Sequence, residues 1–308
     1  MWNRDGWQNS SIPNEIETEL SKAKDLGINM TRIFINYNAF GKSQPSFDVP
    51  EVNYLKQYLN MAKATGMGVV ITLFDDCIFD GTNVVSFNNA VVTTQSAIAH
   101  VDALVNLFDG YDNIVAWDLI NEPDGKGFFN FSSGSWNATG LDWLVAIFNS
   151  LKADLKNKDS AQRITLGTVM GTGILTMVSD KFPGLLPQIH QYTPYSNSSQ
   201  FYAKVVQDIN DVYYAYNEPV FIGEFGSPAD IADNNALKKQ AEIYDALLKA
   251  VEDNSKKVHS VANWTLFDFN NVTGDEGIFG TITLSGELKE SAEILRNYYQ
   301  SWQQAAAN

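Results

Sequence analysis

Cysteine is almost absent from this chain of 308 residues, in which Cys77 is the single example. One cysteine rules out an internal disulfide and a thiolate zinc cluster. Histidine is also scarce, and His100, His190 and His259 do not have the spacing of metal ligands. We therefore expect no metal site.

Positive charge and long apolar runs are lacking as well. The chain has 21 Lys and Arg against 36 Asp and Glu, a formal net charge of −15, which disfavours nucleic acid or an anionic membrane as a partner. No apolar stretch reaches the roughly 18 residues of a membrane span, and we expect no signal peptide within this chain, although one could have been removed. Since the nucleotide-binding Walker loop and the strings of serine hydrolases and zinc proteases are missing too, we expect no cofactor.

What the chain does contain is an alternation of short apolar runs with segments of helical period. The runs are rich in Val, Ile, Leu and Phe throughout, which is typical of parallel strands buried on both faces. The predicted strands are Thr31–Asn36, Gly68–Phe74, Ile114–Ile120, Arg163–Val169, Leu186–Tyr192, Pro219–Phe225 and Val258–Phe267. The predicted helices are Asn14–Leu26, Glu51–Thr65, Val91–Phe108, Leu141–Lys156, Gln200–Tyr216, Asn235–Val251 and Leu288–Gln303, and Gly27 and Gly66 occupy helix C-cap positions.

This order of elements predicts an α/β fold, a (β/α)8 TIM barrel that forms a single catalytic domain over residues 1–308. A closed barrel needs eight strands, and the sequence offers seven good ones. The first should precede the helix at Asn14–Leu26, yet the residues there are polar. We expect this first strand to be either absent or short and irregular around Trp2–Trp7.

Two glutamates follow apolar runs at points where strands should end. Glu122 lies in the string Trp-Asp-Leu-Ile-Asn-Glu-Pro, and Glu224 in Phe-Ile-Gly-Glu-Phe-Gly, about three strand-plus-helix repeats of roughly 34 residues later. In a barrel, side chains at the carboxyl ends of strands point into the active site, where a carboxylate pair can break a glycosidic bond. The string Asn-Glu-Pro recurs at Asn217–Pro219, but before a strand, so that copy should lie on the opposite face.

With these strings the chain resembles the clan A glycoside hydrolases, most of all family 5, the cellulase and β-mannanase group, from about Thr31 to Trp302. The resemblance implies that Glu122 is the acid/base and Glu224 the nucleophile of a retaining double displacement. Their carboxyl groups are then expected to lie about 5 Å apart.

Two further residues, both in the first half of the chain, match binding positions of the family. Arg32 resembles the strand-2 arginine beside the nucleophile, and Asn121 the asparagine that holds the sugar 2-hydroxyl. A simpler reading of Arg32 is a structural ion-pair partner inside the barrel.

Three later residues also match. His190 and Tyr192 resemble the strand-6 His-x-Tyr pair, and the Tyr192 hydroxyl is expected to favour the charged form of Glu224. Trp264, placed late in a strand, resembles the tryptophan under the −1 sugar, which implies a cis peptide bond to Thr265. Each of these three side chains could instead be part of the core.

The chain departs from the family at the end of strand 3. The family usually has a histidine there, and this chain has Phe74-Asp75-Asp76. Asp75, Asp76 and Asp268 follow strands, and each could bind sugar hydroxyls or cap a helix or turn. Trp117 is expected in the core. The loop after Glu122 is rich in aromatic side chains, which could form a subsite wall or pack among themselves: Phe128, Phe129, Phe131 and Trp136.

The expected function is hydrolysis of a β-linked glycan with retention, by an endo-β-1,4-mannanase or endo-β-1,4-glucanase. Two alternatives stay open: an exo-acting or transglycosylating enzyme on another β-glycan, and a catalytically weak carbohydrate-binding barrel. We expect a β-glycan as the partner, a monomer, and an extracellular, secreted location.

Overall fold

The structure is a computed structural model that describes residues 12–35, 37, 49–75, 77–80, 84–87, 90–169, 171–192, 197–269 and 274–307. Contacts divide the chain into two compact units. The first comprises Met1–Leu20 and Met30–Gln188, and the second Ser21–Asn29 and Ile189–Asn308. The predicted first strand around Trp2–Trp7 lies outside the described residues. That residues 1–308 form a single domain stays a prediction.

Helices and strands alternate along both units. The helices are α1 (Ile12–Asp25), α2 (Val49–Ala64), α3 (Thr94–Leu107), α4 (Ala138–Asn157), α5 (Thr172–Thr176), α6 (Ser198–Tyr216), α7 (Asn234–Asp253) and α8 (Glu290–Ala307). The strands are β1 (Met30–Phe34), β2 (Gly68–Thr72), β3 (Ile78–Phe79), β4 (Val85–Phe87), β5 (Ala90–Val91), β6 (Ile114–Asp118), β7 (Phe129–Asn130), β8 (Ser135–Trp136), β9 (Arg163–Thr168), β10 (Leu186–Tyr192), β11 (Val220–Gly226) and β12 (Val258–Val261).

Helix α7 shows why these segments are helical. The Asp233 side chain caps its first turn by accepting hydrogen bonds from the N–H groups of Asn235 and Ala236. Buried side chains then recur at helical spacing along one stripe, which packs against the core: Leu237, Ala241, Tyr244, Leu248 and Val251. Among the described helices, none combines the length and the hydropathy that crossing a membrane requires.

Four parallel strands of the first unit are hydrogen-bonded neighbours in the order β1, β2, β6 and β9. Their register pairs Phe34 with Thr72, Thr72 with Asp118, and Asp118 with Thr165. One layer across these strands is therefore largely polar, although Thr72, Asp118 and Thr165 are fully buried. Trp117, one residue earlier in β6, is buried as predicted.

In the second unit, the part of β10 after Gln188 is followed in hydrogen-bonding order by β11 and β12, and β11 and β12 are parallel. The bounds predicted for β10 are confirmed, and those for β11 differ by one residue at each end. Asn217 ends α6 in the left-handed conformation directly before β11. The second Asn-Glu-Pro string thus precedes its strand, as predicted.

Several predicted bounds differ from the structure by two to four residues, such as the end of α8 at Ala307 instead of Gln303. Two further bounds are wrong for a reason that the hydrogen bonds show. The strand predicted at Val258–Phe267 ends at Val261, because the N–H groups of Thr281 and Ile282 donate to the Leu266 carbonyl and tie the later residues to another segment. The helix predicted from Val91 begins at Thr94, because Val91 pairs with Ser86 in the small antiparallel sheet of β3, β4 and β5.

One buried histidine of the first unit bears on the pH dependence of stability. His100 on α3 packs its ring 4.7 Å from the ring of Tyr37 and 5.7 Å from that of Phe74. Burial lowers the pKa of His100 to about 3, because the cationic form loses its hydration. In the unfolded chain the pKa of a histidine is near 6.5.

We predict that neutral His100 stabilises the protein above about pH 6.5 and that this contribution is lost as the pH falls toward its folded pKa. In urea unfolding, changing the pH from about 7 to 4 should cost wild type up to about 3 kcal/mol more than His100→Gln. The exposed His259 supplies the control His259→Gln, which should behave as wild type. Equal acid sensitivity of His100→Gln and wild type would contradict the prediction.

Candidate active site

Arg32 and Asp118 form a buried ion pair in the first unit. Arg32 Nη2 and Nε donate to Asp118 Oδ2 at 2.6 and 3.1 Å, and Thr72 Oγ1 donates to the same oxygen at 2.9 Å. Only 4% of the Arg32 side chain and none of the Asp118 side chain is exposed. Arg32 is thus an ion-pair partner of Asp118, and its predicted place beside the nucleophile stays a prediction.

Arg32 also reaches one of the predicted site residues. Its Nη2 donates to Asn121 Oδ1 at 2.9 Å. Because the oxygen end of the amide is held, Asn121 has its Nδ2 donor end for other partners. Asp118, which connects Arg32 to β6, was missed as a site residue. A carboxylate inside the apolar run Ile114–Ile120 was a usable signal, since a buried charge requires a partner.

Glu122 lies four residues beyond the end of β6 in an unusual backbone conformation. Its φ of 49° and ψ of 57° place it in the left-handed region, which residues other than glycine seldom adopt. The residue before a proline normally prefers an extended conformation, so Pro123 makes this choice still less favourable locally. The side chain is partly exposed.

The turn after Glu122 is fixed by a hydrogen bond to the next strand end. Pro123–Lys126 forms one 3₁₀ turn in which the Gly125 N–H donates to the Glu122 carbonyl at 3.0 Å. The Asp124 carboxylate is buried and accepts from the Val169 N–H at 3.2 Å, just after β9. The tertiary bond between Asp124 and Val169 thus fixes the turn in which Glu122 has a backbone conformation that its own sequence disfavours.

Asp75 stands where the family usually has a histidine, and it pairs with Lys126. Lys126 Nζ donates to the Asp75 carbonyl oxygen. It also lies 3.2 Å from Asp75 Oδ1, to which it donates as well, and both side chains are about one-fifth exposed. The pair joins the segment after β2 to the turn after Glu122. Asp76 lies outside the described residues.

The aromatic loop after Glu122 has two buried and two more accessible rings. Phe128 and Phe129 are buried, and the Trp136 indole N–H donates to the Ile174 carbonyl at 2.8 Å. Phe131, at the tip of the β7–β8 hairpin, is 54% exposed. Packing therefore describes Phe128 and Phe129, and a subsite role for the half-buried Trp136 and the exposed Phe131 stays a prediction.

Glu224 on β11 is the central carboxylate of the second unit. It is 5% exposed, and the Tyr192 hydroxyl donates to its Oε2 at 2.6 Å. His190 Nδ1 lies 3.6 Å from the same oxygen. A hydrogen bond of this kind favours the charged form of a carboxylate.

The alternation of a strand explains why β10 places both His190 and Tyr192 near Glu224. Residues two apart point to the same face, and Gln191 between them points away. Gln191 Nε2 accordingly donates to Asp208 Oδ2 on α6 at 3.0 Å. The Tyr192 and Phe279 rings form a T-shaped pair, with 5.8 Å between centroids and 89° between planes.

Trp264 lies beyond the end of β12, not late in a strand as predicted. Its N–H donates to the Phe225 carbonyl at 2.7 Å, and its side chain is half-buried. The peptide bond between Trp264 and Thr265 is cis, which confirms the expectation from the resemblance. Asp268, whose role was open, forms an ion pair with Lys289 at 2.8 Å.

A family model described as Cellulase (glycosyl hydrolase family 5) matches residues 3–270. The chain belongs to this family. Among curated proteins, this family 5 chain is 22% identical over 250 residues to a mannan endo-1,4-beta-mannosidase of Cryptopygus antarcticus, covering 68% of this chain and 65% of that protein. The chain thus spans less than two thirds of the length of this relative.

Solved structures share the fold. An exo-beta-1,4-mannosidase from Opitutaceae bacterium strain TAV5 matches 99% of this chain and 59% of its own, with a TM-score of 0.75 and 16% identity. A GH5_18 protein of Bifidobacterium longum in complex with Manb1-4GlcNAc matches 97% of this chain and 75% of its own, with a TM-score of 0.75 and 14% identity. The predicted fold class, an α/β fold of the TIM-barrel type, is confirmed.

Gly226, at the end of β11, permits the close approach of Trp264 in this family 5 chain. A Cβ atom at Gly226 would lie 2.2 Å from the Trp264 carbonyl oxygen and 2.9 Å from a ring carbon of Phe279. We predict that Gly226→Ala lowers the free energy of unfolding by roughly 1–3 kcal/mol, measured by chemical denaturation. Gly173→Ala, where no atom lies within 4 Å of the added Cβ, is the control and should not destabilise. Unchanged stability of Gly226→Ala would contradict the prediction.

Proposed function

We propose that the chain is a retaining β-glycoside hydrolase in which Glu224 is the nucleophile and Glu122 the acid/base. The observation that carries the proposal is the buried Glu224 carboxylate at the end of β11, held by the Tyr192 hydroxyl at 2.6 Å. A nucleophilic carboxylate must be ionised, and this hydrogen bond favours ionisation. Membership of family 5 supplies the reaction class.

The proposed reaction is a double displacement. The Glu224 carboxylate attacks the anomeric carbon and forms a glycosyl-enzyme ester, while the bond to the leaving oxygen breaks and that oxygen takes a proton from Glu122. Glu122, now a carboxylate, accepts a proton from water as the water attacks the same carbon. Glu224 then leaves with its electron pair, and the sugar keeps its original configuration.

The other predicted residues support these two steps. Asn121, with its oxygen held by Arg32, could donate Nδ2–H to the sugar 2-hydroxyl, a bond that strengthens as the oxocarbenium character develops. We propose that Trp264 stacks against the sugar ring bound by Glu224, since a half-buried indole offers a flat apolar surface with a polar edge.

We propose a β-1,4-linked mannan as the substrate. The curated relative is described as a mannan endo-1,4-beta-mannosidase, and both solved structures reported above involve β-1,4-linked mannose. The description of the family model as Cellulase makes a β-1,4-glucan the alternative. Since such polymers occur outside cells, we propose that the protein is secreted. We also propose that it is a monomer.

The first test is hydrolysis of β-mannan, β-1,4-glucan, mixed-linkage glucan, xylan and β-1,3-glucan by wild type and by Glu224→Gln. We expect wild type to cut β-mannan with retention, followed by NMR, and Glu224→Gln to lose about a thousandfold or more in kcat. Glu218→Gln, in the second Asn-Glu-Pro string, is the matched control and should keep full activity. Cleavage of none of the polymers, or an active Glu224→Gln, would contradict the proposal.

A second test addresses the role of Glu122. In Glu122→Ala, kcat/KM should fall by about 10²–10⁴ for β-mannosides whose leaving group needs protonation. Aryl mannosides with strongly acidic leaving groups should lose far less, because their departure needs no proton. Equal losses on both kinds of substrate would remove the acid/base assignment.

A further inference from the structure

Lys289 is a charged side chain without solvent contact. Its side chain is 0% exposed and lies just before α8. Nζ donates to Asp268 Oδ1 at 2.8 Å, to the Ala229 carbonyl at 2.8 Å and to the Ile278 carbonyl at 3.0 Å. The three donors of the ammonium group are therefore all used.

An ion pair buried to this degree is an uncommon way to stabilise a fold. Lysine is almost never fully buried unless it is paired, because removing its charge from water is costly. Well-packed apolar side chains in place of a buried ion pair often stabilise a fold equally well. What an ammonium group adds is direction, because it holds three oxygens at defined positions.

The three oxygens belong to segments that carry the proposed site of the second unit. Ala229 follows β11, which carries Glu224, and Asp268 follows Trp264. Ile278 directly precedes Phe279, whose ring lies against Tyr192. The Tyr192 hydroxyl in turn donates to Glu224.

Gln240 on α7 also forms hydrogen bonds to the segments that Lys289 binds. Its Nε2 donates to the Ser227 carbonyl at 2.7 Å and to the Phe279 carbonyl at 3.4 Å. Its Oε1 accepts from Ser291 Oγ on α8 at 2.7 Å. Gln240 is fully buried. The segment before Phe279 is thus held by Lys289, directly before α8, and Phe279 itself by Gln240 on α7.

We propose that Lys289 is a positioning residue, which holds Phe279 against Tyr192 and so keeps the Tyr192 hydroxyl on Glu224. The catalytic part of this inference rests on the proposed function. In this proposal Lys289 does not contact the reacting atoms, and it acts through Phe279 and Tyr192.

The test is the double variant Lys289→Met/Asp268→Asn, which removes both charges and leaves neither unpaired. The exposed pair Lys249 and Asp253, 49% and 38% exposed, supplies the matched control Lys249→Met/Asp253→Asn in the same unit. Each protein is measured for its thermal midpoint, for kcat and KM on β-mannan, and for amide hydrogen exchange of residues 274–286.

In the Lys289 double variant we expect cooperative unfolding to be retained, exchange of residues 274–286 to rise by roughly tenfold, and kcat to fall by roughly tenfold with a smaller change in KM. The control should match wild type in all three measurements. The single variant Lys289→Met leaves Asp268 unpaired and should unfold at a lower temperature than the double variant.

Wild-type kcat and wild-type exchange in the Lys289 double variant would overturn the inference, because Lys289 would then only fill space. A wild-type chain that cleaves no glycan would refute the proposed function instead. In that case the exchange measurement alone decides whether Lys289 holds the segment, and unchanged exchange overturns the inference.

Discussion

Paired buried charges constrain where the strands and loops of the candidate site can lie. Asp118 can lie inside the parallel sheet of the first unit because Arg32 and Thr72 donate to it. Glu224 is held in the second unit by Tyr192, and Lys289 by Asp268 and two carbonyl groups. Since an unpaired buried charge is costly, each of these contacts limits where its strand or loop can lie.

Strands and loops contribute differently to the site. The register of β1, β2 and β6 brings Thr72 and Asp118 together, and the alternation of β10 turns His190 and Tyr192 to the same face. Loops supply the residues whose backbones are less regular, Glu122 and Trp264. Those loops are held by buried polar groups, Asp124 for the first and Lys289 with Asp268 for the second.

Most of the regular elements could be predicted because each leaves a repeated local pattern. The start of β2 follows from its apolar run, and α7 from its cap and the stripe from Leu237 to Val251. The two-residue pairings β3 to β5 and β7 to β8 could not be predicted, since so few residues carry no periodicity. The strand predicted at Val258–Phe267 was too long, because apolar residues indicate burial and not the hydrogen-bond partner. The Leu266 carbonyl accepts from the N–H groups of Thr281 and Ile282, and no local pattern in the sequence indicates this.

The same contrast applies to the candidate site. The sequence alone determined where the strands lie, because the residues that form a strand are neighbours along the chain. It therefore also determined which candidate residues lie near strand ends: Asn121, Glu122, His190, Tyr192 and Glu224. Only the tertiary structure decided the partners of those side chains. Arg32 binds Asp118, Lys126 binds Asp75, and Lys289 binds Asp268, because ion pairs between residues far apart in the chain depend on how the elements pack. The left-handed backbone of Glu122, which Pro123 disfavours locally, is likewise set by contacts made elsewhere in the fold.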